Sequence, residues 1–371
     1  MGIIKNLLGP KTRTAAPNYT STATVLPPLN VEGAMRLSAV FDAVRIISED
    51  AASLPLHIYR GTGSDRRKAD DLRVYDLLHS SPNNYQTAMD LREAMTASLL
   101  IVGSAYAEIE RTQSGQIAAL HFIDPYRVQV DTSGSALTFK VDGQPIATEN
   151  IFHVHGFSKD GVHAQGIVHQ AVESLELSRH VDRFARAYFE NGGRLASVLK
   201  YDGVIKDQDV RRRLMDEWNA TYTGAANANK TAFLENGISF ETINTDHEKS
   251  QLIQVRRFQV EEVARWFRLP PAMLGATEGT SQYKTLREQL DAYIRLSLRP
   301  WLVRWEQAIN RQLLPRGSYA EHSLDAFLRA DTETRYRAYE TGLRAGFLTV
   351  EEIREKESLP RLPELQPRVS V

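Results

Sequence analysis

Read for the order of hydrophobic and polar positions, the chain turns on one stretch. From Gln251 to Arg268, Val260, Val263, Ala264 and Phe267 recur at helical spacing, while Gln259, Glu261, Glu262 and Arg265 fall elsewhere on the wheel. This predicts an amphipathic helix. Leu269-Pro270-Pro271 stops it, because proline has no amide to donate and pushes the preceding residue out of the α region. Met273 to Gln282 is polar, carries Gly275 and Gly279 and has no aliphatic period, which predicts a mobile loop. A second periodic run extends from Tyr283 to Leu313 through Leu286, Leu290, Tyr293, Ile294, Leu298, Trp301, Leu302, Trp305 and Ile309. At ~1.5 Å per residue it is a helix of roughly 45 Å, with a kink expected at Pro300. Such a helix either spans subunits or lies within a globular α/β enzyme, and periodicity alone leaves both open.

The rest of the chain alternates between the two periods. Residues 1–30 mix Lys, Thr, Ser, Ala and Pro and predict an extended or partly disordered arm, with Ile3, Ile4, Leu7 and Leu8 available for a short docking turn. Val40 to Ser48 reads as a helix with Val40, Val44 and Ile47 inward, Leu54 to Tyr59 as a strand and Leu72 to Leu78 as a short helix. Thr87 and Asp90 mark a helix start, and Met89, Ala94, Met95 and Leu99 continue it. The period then becomes two over Tyr106 to Arg111, Ile117 to Ile123, Val128 to Val130, Leu137 to Val141 and Ile151 to His155, which predicts a meander of short antiparallel strands. From Gln165 it is helical again through Ile167, Ala171, Leu175, Ser178, Val181, Ala185, Tyr188 and Phe189, stopping at Asn191-Gly192-Gly193.

Strands at Ser197 to Tyr201, Thr231 to Leu234 and Ser239 to Ile243 and a helix from Asp207 to Tyr222 follow. This small module sits between two long helices, like a unit held out on a two-helix stalk. Leu324 to Leu343 and Thr349 to Arg354, with Thr349 as N-cap, come before a Pro-rich tail. The fold class expected is α+β.

Composition narrows the function classes. At 371 residues the prior is two or three domains. The formal net charge of −1 disfavours a static grip on DNA, which needs a clear basic excess. There is no cysteine, so disulfides and thiolate metal sites are excluded, in keeping with a reducing compartment. No run approaches the ~20 apolar residues that cross a bilayer, and a secretory segment is not expected.

Motifs for chemistry are weak. His153 and His155 lie two apart on a strand and so share a face, with His163 and His169 nearby, but no acid stands at ligand spacing. Imidazoles hydrogen-bonded at a sheet end are the better reading, and neither a metal nor a cofactor is expected. Gly275 to Thr280 lacks the Gly-Lys-Ser/Thr ending of a phosphate loop. No nucleophile elbow or metalloprotease pair is present, and no enzyme is expected. Arg256-Arg257 and Arg211-Arg212-Arg213 are solvated faces in one copy, and become belts of charge if repeated round a ring.

In this order the residues resemble the portal family of tailed double-stranded-DNA phages and related gene-transfer agents, over roughly residues 35–355. The resemblance rests on Ala43-Val-Arg-Ile-Ile-Ser-Glu-Asp-Ala-Ala-Ser-Leu-Pro-Leu-His-Ile-Tyr59, on Ile151-Phe-His-Val-His155 leading to Gly166, and on Tyr188-Phe-Glu-Asn-Gly192. Phe258-Gln-Val-Glu-Glu-Val-Ala-Arg-Trp-Phe-Arg-Leu-Pro-Pro-Ala-Met-Leu-Gly275 and Arg299-Pro-Trp-Leu302 complete it. Two departures stand out: Gly166-Ile-Val-His-Gln170 replaces the Gly-Leu-Ser-Pro-Leu of many relatives, and the C-terminal helical part is brief.

The resemblance implies a subunit with an arm (1–30), a wing (31–164), stem helices (165–192 and 247–269) and a small α/β clip (193–246). A tunnel loop (270–282), a long kinked wing helix (283–320) and a short helical crown with tail (321–371) follow. It implies a ring of about twelve copies at a capsid vertex of the virion, assembled in the host cytoplasm, through which DNA is packaged and ejected. The tunnel loop would present Ala276, Thr277, Glu278, Gly279, Thr280, Ser281 and Gln282 to the channel, and the stem Lys249, Arg256 and Arg257. In the clip, Arg211, Arg212, Arg213, Trp218, Tyr222 and Lys230 would dock the large terminase subunit and later the head-tail connector or adaptor protein. The other implied partners are the major capsid protein and double-stranded DNA, held transiently and without sequence preference. The rival readings are an adaptor of another assembly and a hydrolase with a lid at 275–282.

Overall fold

The computed structural model describes residues 29–132, 137–190, 196–201, 203–222, 234, 237–243, 246–276, 286–324, 332–357 and 359–360. The chain enters at Leu29, which is buried, and α1 (Val31–Met35) begins where the Asn30 carboxamide accepts the Gly33 amide at 2.7 Å. In α2 (Ser38–Ser53), Val40, Ala43, Val44, Ile47 and Ala51 are buried, the three-and-four spacing of a core-facing stripe. The helix ends before Leu54-Pro55, and β1 (Leu56–Arg60) follows.

Strand β2 (Arg67–Lys68) and α3 (Arg73–His79) precede α4 (Ala88–Ile101), whose start is a full capping box. There Thr87 Oγ1 accepts the Asp90 amide at 3.2 Å and Asp90 accepts the Thr87 amide at 2.8 Å.

The period-two region is not one meander. Strands β3 (Ser104–Arg111), β4 (Ile117–Ile123) and β8 (Ile151–His155) form one antiparallel sheet in the order β4-β3-β8. Strands β5 (Val128–Asp131), β6 (Thr138–Val141) and β7 (Gln144–Ile146) form a second. The split follows burial: β8 carries four buried residues in a row and must be covered on both faces, so it inserts beside β3 instead of extending the exposed hairpins.

Three strands lie outside the periodic reading: β2, β7 and β11 (Ser318–His322). The last pairs antiparallel with β1, Leu56 opposite His322, and ties the C-terminal third to the N-terminal part.

Next come α5 (Ile167–Glu190), β9 (Ala196–Tyr201), α6 (Gln208–Tyr222), β10 (Ile238–Ile243) and α7 (Asp246–Phe267). Strands β9 and β10 pair antiparallel, Ala196 opposite Ile243, so the module closes on itself between the two helices. Of the strand expected at Thr231 to Leu234, all but Leu234 lies outside the described residues.

The expected long helix is three segments: α8 (Leu286–Tyr293), a π-helical stretch Ile294–Leu298, and α9 (Arg299–Gln312). Pro300 breaks the run, but not through a strained ring against the preceding turn. The helix widens by a π turn before it and restarts, so Pro300 occupies the first turn of α9, where a missing amide costs nothing. Helices α10 (Thr332–Arg344) and α11 (Val350–Lys356) end the described chain, and Thr349 caps α11 in a second capping box with Glu352.

Two cores result. One gathers α1, α2, α5, α7 and the start of the kinked helix, around Ile47, Leu175, Phe267, Tyr293 and Leu298. The other gathers α3, α4, α9 and the sheets, around Leu77, Leu99, Phe152 and Trp305. Trp301 packs against both and joins them. At the junction, a Cβ on Gly166 would sit 2.1 Å from the Ile101 carbonyl oxygen, so only glycine lets α5 leave so close to the end of α4.

Candidate functional site

Helices α5 and α7 run side by side and antiparallel. Near one end the Arg256 guanidinium donates to Asp182 Oδ1 at 3.0 Å, and near the other the Trp266 indole N–H donates to Ser174 Oγ at 3.0 Å. The β9-α6-β10 module occupies the end beyond Asp182, because the chain leaves α5 and re-enters α7 there. The opposite end of α7 is shaped by sequence. Arg268 takes a left-handed φ of 58°, the Leu269 amide returns to the Ala264 carbonyl at 2.8 Å, and Pro270-Pro271 opens a tight 3-10 turn to Leu274. Gly275 ends that turn at φ 83°, a conformation glycine adopts without a Cβ penalty.

The kinked helix fastens this corner. The Ser297 hydroxyl in the π stretch donates to the Arg268 carbonyl, and the Tyr293 hydroxyl donates to Asp50 Oδ2 of α2 at 2.6 Å. Burial holds the Asp50 carboxyl above its ordinary range and the Tyr293 phenol likewise above its own. The turn that leads toward residue 277 is therefore clamped by α2, α7 and the π segment together.

The residues singled out from sequence are placed as follows. Ala276 is buried, its amide donating to the Pro271 carbonyl at 3.1 Å, whereas Thr277, Glu278, Gly279, Thr280, Ser281 and Gln282 lie outside the described residues. Lys249 falls in the first turns of α7. Arg256 is bound to Asp182, and Arg257 Nε donates to Glu261 Oε1 one turn on at 3.1 Å, so both arginines have partners within the chain.

Gln259, expected off the apolar face, is 7% exposed, because it shares the inward side of α7 with Val263 and Phe267. Asp182, Ser174, Asp50 and Tyr293 carried no sequence signal as a set, since each pairs with a residue far along the chain.

In the outer module, α6 has no buried residue, and Arg211, Arg212 and Arg213 are exposed on it. Arg212 lies 3.9 Å from Asp209, and Trp218 and Tyr222, one turn from each other, meet in a tilted contact with ring centroids 4.6 Å apart. Arg211 borders a cavity of about 360 Å³ with Tyr201, Val204, Leu214 and Met215. Lys230 lies outside the described residues.

The histidines are held separately. His153 is buried, stacks on Tyr106 at 4.6 Å and meets Ser104 Oγ at 3.4 Å, and burial followed by the His155 charge lowers its pKa to about 4. His155 contacts the Gly156 carbonyl at 3.2 Å, and His163 pairs with Asp160 at 2.6 Å. Among the described residues no three His, Asp or Glu side chains come together to hold a metal ion, and no helix is long and apolar enough to cross a membrane.

One consequence is testable. Asp182→Asn removes the acceptor charge from a pair in which both side chains are about half exposed, with 54% of Arg256 and 45% of Asp182 open to solvent. Its expected cost is below about 1 kcal/mol in chemical denaturation, and most of that cost should vanish at high salt.

Comparison with known proteins places this arrangement. A family profile described as "Phage portal protein" matches residues 38–358. The chain is 29% identical over 346 residues to the portal protein of Enterobacteria phage HK97, covering 90% of this chain and 81% of that one. Its fold matches an HK97 family phage portal protein from Corynebacterium diphtheriae with a TM-score of 0.61 at 18% identity, over 82% of this chain and 98% of that one. It also matches a chain in the neck of a native gene transfer agent particle computed with C12 symmetry, with a TM-score of 0.61 at 23% identity, over 91% and 96% of the two chains. A profile match across nearly the whole described chain, on a fold with this stalk and module, means that the protein belongs to the phage portal protein family.

Proposed function

We propose that the protein is the portal of a tailed phage or gene-transfer-agent particle. Copies close a ring at one capsid vertex, and double-stranded DNA passes through that ring into the head and later out of it. The observation that carries this reading is the antiparallel pair α5 and α7, holding a small module at one end and a clamped turn at the other, in a chain whose family profile spans 38–358. Twelve copies is the number taken over from the symmetry of the gene-transfer-agent neck.

In this reading residues 31–164 form the wing, α5 and α7 the stem, β9 to β10 the clip, 270–282 the tunnel loop, α8 to α9 the long wing helix, and α10 with α11 the crown. The clip docks the packaging motor and later the connector through the exposed face of α6, with Arg211, Arg212, Arg213, Trp218, Tyr222 and Lys230. The wing meets the major capsid protein. ATP hydrolysis belongs to the motor, and no catalytic residue is assigned to this chain.

The charge balance agrees with a conduit. A net of −1 per copy, with Arg256 and Arg257 bound to Asp182 and Glu261, gives no basic excess to pin phosphates, so a duplex slides. Electron microscopy of the purified protein should show rings with a central hole, and a compact monomer at high concentration overturns the reading. Within it, Glu278→Lys adds a phosphate-binding charge at the narrowest part of the channel, and DNA packaging is expected to slow several-fold in an in vitro assay. Unchanged packaging kinetics would remove Glu278 from the channel wall.

A further inference from the structure

Helix α7 carries two unlike surfaces on opposite flanks. Val255, Phe258, Glu262 and Trp266 follow one another at steps of three and four and form a ridge. Ile253, Arg257 and Val260 form a second stripe about 180° round the helix, at 3.6 residues per turn. The ridge is open: Phe258 is 50% exposed, and Leu177 and Phe184, seven residues apart on α5, continue the apolar surface past the Ser174-Trp266 bond at 58% and 50%. The other flank is hollow. A groove of about 570 Å³ runs between the start of α2, α5, α7 and the turn after Pro270, with Leu37, Ile253, Val260 and Leu274 on its walls.

The groove is built but left unfilled by the described residues. Ile253 is 68% exposed at its mouth, while Ser178 Oγ and Gln259 Nε2 on its lining are buried with no hydrogen-bond partner. An orphaned buried amide carries an uncompensated loss of hydration, and an incoming acceptor removes it. The ridge supplies one, because the Glu262 carboxylate stands between Phe258 and Trp266 and makes no ion pair among the described residues. Since ridge and groove lie at similar heights on opposite flanks of one helix, no copy can seat its own ridge in its own groove. A neighbour turned about an axis along the stem can.

We propose that the Val255-Phe258-Glu262-Trp266 ridge of one copy seats in the Leu37-Ile253-Val260-Leu274 groove of a second copy, as the head-to-tail contact that closes the ring. The inference rests on the portal reading for the ring and adds the surfaces that make it. A contact between different patches of identical chains propagates in one sense and closes when the rotation divides a full turn. The apolar ridge, the empty groove and the unpaired amide then have one explanation.

The absence of cysteine makes the test clean. With Phe258→Cys and Ile253→Cys in the same chain, a short bismaleimide should give a ladder of covalent multimers on a denaturing gel. Each single variant should stay monomeric, and an equal mixture of the two should stop at dimers. Rings seen by mass photometry without the ladder overturn this interface and leave the portal reading standing, whereas absence of rings in the unmodified protein overturns both. Dimers from Phe258→Cys alone would mean a two-fold contact and also overturn it. Independently, Phe258→Asp alters only an exposed side chain, so each copy keeps its fold. The ring population at fixed concentration should drop about tenfold or more, and an unchanged population refutes the contact.

Discussion

Trp305→Ala is expected to destabilise the protein by about 3–5 kcal/mol, the range for emptying a fully buried aromatic site. Trp305 is 1% exposed and sits where α4, α9 and the β4-β3-β8 sheet converge, its ring 5.9 Å from that of Phe152. Its indole N–H donates to Thr96 Oγ1 at 3.1 Å, and the Thr96 hydroxyl donates in turn to the Arg92 carbonyl at 2.7 Å. The Arg92 guanidinium is itself buried and donates to the Leu54 carbonyl at 2.8 Å, where α2 gives way to β1. One side chain thus fills a core and anchors a polar chain reaching three elements. Trp305→Phe keeps most of the volume but leaves Thr96 without its incoming donor, so a smaller loss of about 1–2 kcal/mol is expected. Urea unfolding should be followed at one fixed protein concentration, because assembly adds to apparent stability by mass action. A Trp305→Ala midpoint within error of the parent would mean that the cavity collapses and that this core is not what holds α4, α9 and the β4-β3-β8 sheet together.

How much of this was legible beforehand depends on the range of the interaction. Thr87 with Asp90, Thr349 as a cap, and Leu269-Pro270-Pro271 act within four residues, and the helix ends they predict are where the structure has them. The two long helices and the small module between them were legible because the period switches from helical to two and back, the first switch marked by Gly192-Gly193.

What failed was pairing at a distance. Strand β11 has five residues of ordinary polarity, Ser318-Tyr-Ala-Glu-His322, and becomes a strand only because the edge of β1 needs a partner more than 250 positions earlier in the chain. The meander broke for the same reason, since β8 chose β3 over its sequence neighbour. At the candidate site, Arg256 reads as a solvated cation because its partner Asp182 stands 74 positions earlier in the chain. Gln259 read as surface because a single polar residue on an apolar stripe looks like a boundary. Its burial comes from the packing of α7 on its inward side, where Val263 and Phe267 are buried too, and that packing is a tertiary contact the sequence does not print.

Acid should weaken the protein between about pH 6.5 and 4 through His153. Its imidazole is enclosed by Tyr106, Phe139 and the β3-β8 pairing, and burial first, then the charge of His155, lower its pKa from 6.5 to about 4. The sign follows from proton counting. Above pH 6.5 the ring is neutral folded and unfolded, and contributes no difference. As the pH falls below 6.5 the unfolded chain takes up a proton that the folded one refuses, so stability declines until the folded ring also protonates near pH 4. At 1.36 kcal/mol per unit, the full decline from this residue is about 3 kcal/mol. His153→Phe keeps an aromatic ring against Tyr106 and removes the titration. His322 and His57 are also held low by burial, and Asp50, held high, acts in the opposite sense at lower pH, so the parent and the variant both slope. The measurement is therefore the difference between their stability curves from pH 7 to 4. A gap that widens in favour of the variant below pH 6.5 confirms a neutral, enclosed His153, and parallel curves would mean that the ring is solvated in the native protein.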